Sequence, residues 1–299
     1  MSTLNNKIDF AVVFKVTNAN PNGDPLNENI PRTDFDGYGE VSDVCIKRKI
    51  RNRLVDLIND GTIKDNIFVQ SEDYKQKGDN YNSLKERAEG ELEIIEDTDK
   101  CREIICSKWI DVRAFGQVFA FKTKKGIKGQ KDDKKQDKEE GISIGIRGPV
   151  SIQHAFSKEP IDAINMGITK SVNGEPKKDR QGETEDGMSH DRMGQKHFIR
   201  KAIYVFYGAI NPQLAEKTGF SDEDAKKIKS VLPKLFENDE SSARPAGSIE
   251  ILKVIWWQHN SKLGQHSSAK VHHSLEVGND GEIKINELKD LKPEIIEGY

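Results

Sequence analysis

The stretch Ile8-Asp9-Phe10-Ala11-Val12-Val13-Phe14-Lys15-Val16-Thr17 runs into Asn18-Ala19-Asn20-Pro21-Asn22-Gly23-Asp24-Pro25, and soon afterwards into Ser42-Asp43-Val44-Cys45-Ile46-Lys47-Arg48-Lys49-Ile50-Arg51-Asn52-Arg53. In the first segment Val12, Phe14 and Val16 share one strand face and Ala11, Val13 and Lys15 the other, so both faces are apolar until Lys15. That pattern predicts a central strand. The Asn, Pro and Gly cluster that follows favours turns with backbone NH groups facing outward. Ser42 can cap a helix running from Val44 to about Asn59, where Ile46, Ile50, Leu54, Leu57 and Ile58 make an apolar stripe and Gly61 provides a stop. At the helical angular step Lys47, Arg48 and Arg51 fall on one flank of the stripe, and Lys49 and Arg53 on the other. A polar loop beside a cationic helix points to a polyanion.

Composition confines that idea to one part of the surface. With 47 Lys plus Arg against 50 Asp plus Glu, the formal net charge of -3 leaves no global cationic field. The 299 residues are enough to bury a full core, in one large domain or two smaller ones. Cys45, Cys101 and Cys106 are too few and wrongly spaced for a disulfide framework or a four-cysteine zinc site, which fits a reducing cytoplasmic setting. No signal-like or bilayer-spanning apolar run occurs, so no membrane partner is expected. Walker loop, dinucleotide fingerprint and Gly-x-Ser-x-Gly elbow are all missing from the sequence, and the seven His residues suggest no metal site, so no cofactor is expected.

Further along, residues 60–107 read as a loosely helical insertion outside the main core. Trp109 to Phe121 has strand-like composition and is expected to pair with the alternating Ile142, Ile144, Ile146, Val150 and Ile152. Between them, 122–140 is almost wholly polar and charged and reads as a mobile hairpin tip. Residues 158–196 read as a long irregular stretch interrupted by Ile161, Ile164, Met166 and Met188, long enough to suggest function. His197 to Ile210 is strand-like, a helix is expected from Ser221 to about Asn238, and Ile249 to Gln258 closes the pattern as a strand. In that last strand Trp256 and Trp257 sit among apolar neighbours and read as core. The order is compatible with a single α+β domain, a modified ferredoxin-like or RNA-recognition-motif (RRM) palm with large insertions.

Several motifs narrow this reading. Asn18 to Pro25, Ile30-Pro31-Arg32, Gly37 to Arg53, Asp111-Val112-Arg113-Ala114-Phe115-Gly116, Ile146-Arg147-Gly148-Pro149-Val150-Ser151, Met193-Gly194-Gln195-Lys196-His197 and Ser241-Ser242-Ala243-Arg244-Pro245 occur in order. Together they closely resemble the backbone subunit of CRISPR Cascade complexes, of the type I-C (Dvulg) Cas-seven family, over nearly the whole chain. The resemblance implies an RRM-like palm with fingers (60–107) and a thumb (158–196). It further implies a non-catalytic protein that polymerises along guide crRNA, contacts neighbouring copies of itself and other Cascade subunits, and presents the guide to target DNA. Such a protein must hold phosphates and sugars and leave base edges free.

Asn18, Asn20, Asn22, Arg32, Ser42, Lys47, Arg48, Lys49 and Arg51 are the candidate RNA-binding residues of the loop and helix. Lys47, Arg48 and Arg51 are favoured for phosphate, while Lys49 and Arg53 could equally meet a neighbouring subunit. Asn in such a loop also commonly satisfies its own backbone. His190, Arg192, Gln195 and Lys196 are read as guide contacts or as surface and interface residues, and Met166 or Met188 as an apolar wedge beneath a displaced base. The alternative is a metal-dependent ribonuclease using Asp24, Asp34 and Asp36, as type III relatives cut RNA with a loop aspartate. The type I-C resemblance argues against it, because cleavage there belongs to a separate helicase-nuclease.

Overall fold

The computed structural model describes residues 2–92, 98–122, 141–170, 176–178, 184–188 and 192–299. The chain begins with β1 (Ile8–Ala19), the two-residue strands β2 (Gly23–Asp24) and β3 (Ile30–Pro31), β4 (Tyr38–Val41) and helix α1 (Asp43–Asn59). Helices α2 (Leu84–Glu91), α3 (Thr98–Lys108) and α4 (Ile110–Phe115) lead to the antiparallel pair β5 (Gly116–Lys122) and β6 (Gly141–Arg147). Next come β7 (Val150–Ile152), β8 (Ala155–Pro160), β9 (Ala163–Lys170), β10 (Pro176–Lys178), β11 (Thr184–Met188) and the long β12 (Arg192–Ile210). Helices α5 (Pro212–Thr218) and α6 (Asp222–Val231), strand β13 (Ile249–Gln258), helix α7 (Ser268–His273) and strands β14 (Leu275–Val277), β15 (Ile283–Ile285) and β16 (Glu294–Glu297) complete the chain.

The main sheet is antiparallel, ordered β16-β13-β1-β12-β8-β4, with β7 and β9 also paired to β12. Strand β1 lies centrally because neither of its faces tolerates water. Phe10, Val12, Phe14 and Val16 enter a core shared with Ile46, Ile50 and Leu54 of α1 and Ala225, Ile228 and Val231 of α6. Ala11 and Val13 enter a second core with Trp257, Val271 and Leu275. Trp256 and Trp257 are both buried. The C-terminal segment is tied to β1 by Asp9, whose carboxylate lies 2.9 Å from His259 Nε2 and 3.2 Å from Lys7 Nζ. No helix among the described residues is long and apolar enough to cross a membrane.

Three regions differ from the sequence reading. Ile110-Asp111-Val112-Arg113-Ala114-Phe115 alternates like a strand but forms α4, because Asp111 and Arg113 are buried as ion-pair partners and every residue from 110 to 114 is inside. Much of the stretch read as irregular in 158–196 is strand, and β9 pairs residue by residue with the start of β12, from Ala163↔Ile199 to Lys170↔Arg192. There Ile164, Met166 and Ile168 keep the strand period within a polar sequence. The helix expected to reach Asn238 ends at Val231 and tightens into a 3-10 turn at Leu232–Lys234, since Pro233 lacks the NH to continue it. The segment read as an insertion carries α2 and α3 around its own core of Phe68, Ile105, Trp109 and Phe119, which also takes in Ile144 and Ile146 of β6. The expected hairpin tip falls, from residue 123 to 140, outside the described residues.

α4 joins these parts. Arg113 makes a two-pronged contact with Asp224 (2.9 and 2.7 Å) and a third with Asp65 (2.6 Å). Asp111 accepts from Arg51 Nε at 2.9 Å and from the backbone NH groups of Phe68 and Val69 at 2.7 and 3.1 Å. The loop after β6 passes so close that a Cβ on Gly148 would meet the Ala114 carbonyl oxygen at 2.2 Å. Burial opposes ionisation of Asp224, but the hydrogen bonds and charge of Arg113 outweigh it and hold the carboxyl below its ordinary value.

Removing Arg113 leaves the carboxylates of Asp224 and Asp65 with Lys227 as their remaining charged partner, so Arg113→Ala is expected to cost about 3 kcal/mol in urea unfolding. The lowered Asp224 pKa also sets a pH dependence. Its stabilisation is present above the unfolded-chain value of about 3.9 and is lost as pH falls through the lower folded value. Stability measured from pH 6 down to pH 2 is expected to fall less steeply for Asp224→Asn, from its lower starting point, than for the unaltered chain.

Candidate nucleic-acid interface

The loop between β1 and α1 is built from turns that its own side chains hold. Asn18 sits in the left-handed region (φ 50°) between the Thr17–Lys201 and Ala19–Ile199 pairs, and its side chain is exposed. Asn20 is buried and donates to the Asn29 carbonyl at 2.6 Å, while its own NH donates to the carbonyl of Ala243. The Asn22 carbonyl oxygen of the side chain accepts from both the NH and the hydroxyl of Ser42, each at 3.0 Å. Ser42 Oγ in turn accepts from Cys45 NH at 3.3 Å as the N-cap of α1. One amide thereby fastens the loop to the helix start. Asp24 accepts from Leu26 NH and lies 3.3 Å from Arg32, and Asp34 accepts from the NH groups of Asp36 and Tyr38. These carboxylates hold turns.

The basic helix divides its charges differently from the angular reading. Arg51 lies on the favoured flank, yet its guanidinium is held by Asp111 and stacked over Phe115. Lys49 is buried against Asp239, and Arg53 is buried against Asp56 and Tyr74. Burial pulls the Lys49 ammonium below its usual pKa and the neighbouring Arg244 adds to this, while Asp239 opposes both. Lys47 pairs with Asp43 at 2.8 Å one turn back. Arg48 alone of these cations is exposed with no partner among the described residues. An angular reading cannot see this, because a helix packed between a sheet, α6 and α4 has little free surface.

The structure adds a residue that the sequence reading left out of its candidates. Arg244 reaches α1 from the loop before β13, bonding Asp239 at 2.9 Å beside Lys49. Burial pushes the Cys45 thiol pKa up and Asp239 adds to this, while the positive charges of Lys49, Arg244 and Arg48 oppose it. The quoted Ser241 to Pro245 motif carried this residue, but nothing in its spacing connects it to a helix almost two hundred positions away.

The remaining candidates lie on the β9–β12 ribbon. Met166, opposite Lys196, is half exposed, and Ile168 beside it likewise. Met193 is almost fully exposed, and Gln195 accepts from Asn165 at 3.2 Å. Arg192 begins β12, its side chain lying with His190 outside the described residues. Met188 ends β11. β3 packs beside β12, so loop and ribbon are neighbours. Among the described residues no group of three or more His, Cys, Asp or Glu is placed to hold a metal ion. His272 and His273 both belong to α7.

A family model described as CRISPR-associated protein Cas7 matches residues 6–296. A CRISPR-associated protein Cas7 of Haloferax volcanii is 24% identical over 315 residues, covering 99% of this chain and 82% of its own. Among solved structures, a chain of a CRISPR RNA-guided surveillance complex, pre-nicking, is 16% identical with a TM-score of 0.46, covering 84% of this chain and 78% of that one. A chain from the type III-B Cmr-beta bound to cognate target RNA is 12% identical with a TM-score of 0.39, covering 83% and 60%.

The two classes of α1 cation separate by experiment. Lys49→Ala is expected to lower the thermal midpoint, because it strips Asp239 of a buried partner. Arg48→Ala is expected to leave the midpoint within the range of a neutral surface change, about 0.5 kcal/mol. Equal midpoints for the two variants in differential scanning fluorimetry would contradict this division.

Proposed function

This chain belongs to the CRISPR-associated Cas7 family, and we propose that it is a non-catalytic backbone subunit of a type I-C surveillance complex. Copies of it line a guide crRNA, hold its phosphates and leave the bases free to pair with target DNA. The observation that carries this reading is the exposed Arg48 guanidinium of α1, without a partner among the described residues, on a protein whose formal net charge is -3. A local cationic field that faces outward from fixed elements suits a ligand with a regular anionic backbone.

Other features support the same reading. The order β13-β1-β12-β8, with α1 following β1 and α6 following β12 on one face, favours an RRM-like palm. Arg32, held only at the loop surface by Asp24, and Lys196 on the ribbon can each add a phosphate contact. Met166, Ile168 and Met193 offer exposed apolar surface for unstacked bases, which favours the ribbon as the thumb. Asn20, Asn22 and Ser42 act through the loop, since the Asn20 amide NH2, the Asn22 amide oxygen and the Ser42 hydroxyl are committed to its internal bonds. Asp24 and Asp34 are likewise occupied by the loop's own turns, which supports a holding role over cleavage. The palm would sit among further copies and other subunits, its C-terminal face covered by α7 and β14–β15.

For a single-stranded RNA ligand, each lost phosphate contact lowers the slope of log affinity against log salt by about 0.7. Arg48→Ala is therefore expected to weaken binding to a repeat-derived RNA in fluorescence anisotropy and to flatten the salt dependence by that amount. Unchanged affinity and slope would overturn the assignment of Arg48, and RNA-independent behaviour of the unaltered chain would overturn the function.

A further inference from the structure

The face of the sheet opposite α1 is closed by α7 and the β14–β15 pair, and one buried carboxylate joins that layer to the central strand. Asp9 of β1 is fully buried. Its Oδ2 accepts from His259 Nε2 at 2.9 Å and lies 3.2 Å from Lys7 Nζ, which also donates to the His266 carbonyl at 3.0 Å. Gln265 NH donates to His259 Nδ1 at 3.0 Å, so the His259 ring carries its hydrogen on Nε2, toward Asp9. A ring that accepts at one nitrogen and donates at the other is neutral. The carboxylate of Asp9 and the ammonium of Lys7 therefore balance each other.

A second histidine meets the same carboxylate from α7. His272 is buried, stacks on Tyr207 of β12 with ring centroids 4.8 Å apart, and holds Nε2 3.3 Å from the Gly208 carbonyl. Asp9 Oδ1 lies 3.5 Å from that nitrogen and has no hydrogen bond among the described residues. Ser268, at the head of α7, faces the carboxylate as well. The charges acting on the ring are Asp9 and Lys7 from the β1 side and His273 beside it on α7, while Glu276 of β14 is turned to Lys284 and Asn286. Burial above all holds His272 below the ordinary histidine value, and Lys7 and His273 add to this, while Asp9 and the Gly208 carbonyl oppose it.

Because Lys7 already matches Asp9, a proton on His272 leaves a positive charge in excess inside the protein. The ring cannot move alone. Val271, next to it, packs with Leu275 and Val277 against Ala11, Val13 and Trp257, and α7 has six residues, too few to hold a helix without such contacts. We propose that His272 is an acid-sensitive latch: a proton on its ring releases α7 and the β14–β15 pair from β1 and opens the core around Trp257. The open form takes that proton at about 6.5, the value of a free histidine, and the closed form only at lower pH. Closure is thus complete above that value and weakens as pH falls below it.

The test uses the full chain and needs no RNA, since the layer lies on the face away from α1. Hydrogen-exchange mass spectrometry, corrected for the intrinsic pH dependence of exchange, is expected to show protection over 268–285 falling several-fold between pH 7.5 and pH 5.5. Uptake of one proton sets a ceiling of about tenfold per pH unit. Protection of α1 should hold over the same range. His272→Gln, which keeps an amide donor for the Gly208 carbonyl, is expected to abolish the fall, and His273→Gln to retain it. A fall that persists in His272→Gln, or that disappears in His273→Gln, would overturn the proposal. So would constant protection of 268–285 in the unaltered chain, a result that counts whether or not the variants fold.

Discussion

The molecule depends on one short helix that carries two opposite charges inward. Arg113 of α4 grips Asp224 of α6 and Asp65, while Asp111 grips Arg51 of α1 and the backbone NH groups of Phe68 and Val69. A buried ion is tolerable only when it is paired and hydrogen-bonded, and a guanidinium fork offers enough directed donors to meet two carboxylates at once. Asp224 is also engaged at its own helix end, in a capping box with Ser221. The same few atoms therefore fix where α6 starts, how α1 lies on the sheet and where the segment carrying α2 and α3 joins it.

That arrangement determines what is left for a ligand. α1 carries five cations between Lys47 and Arg53, but packing against the sheet, α6 and α4 leaves little of its circumference free. Arg51, Lys49 and Arg53 are spent on Asp111, Asp239 and Asp56, and Lys47 on its own first turn. Arg48 is the cation of the helix left exposed, while Arg244, brought in by the loop before β13, joins Lys49 on Asp239. The neighbouring loop gains rigidity from Asn22, whose single amide oxygen takes both hydrogens of Ser42 and so joins loop shape to helix capping.

Several elements were legible in the sequence because local chemistry decided them. β1 is apolar on both faces and lies in the centre of the sheet, Ser42 caps α1, and β5 pairs with β6. The misread elements share a cause. In α4 the alternation of apolar and charged residues imitated a strand because the charged positions are buried by partners distant in sequence. In the ribbon, Ile164, Met166 and Ile168 do alternate with strand period, but over only five residues within a long polar stretch, and the pairing with β12 supplies the order.

The sequence by itself determined the strand and helix cores, the polar loop and the local character of the positive charge, since burial periodicity, turn residues and composition are properties of neighbouring residues. Its ordered motifs also marked the family. Only the tertiary structure decided which cations face solvent and which neutralise buried carboxylates. The periodicity of a helix gives the direction of each side chain but not what stands opposite it, and the energy of a charge depends on that neighbour far more than on the direction.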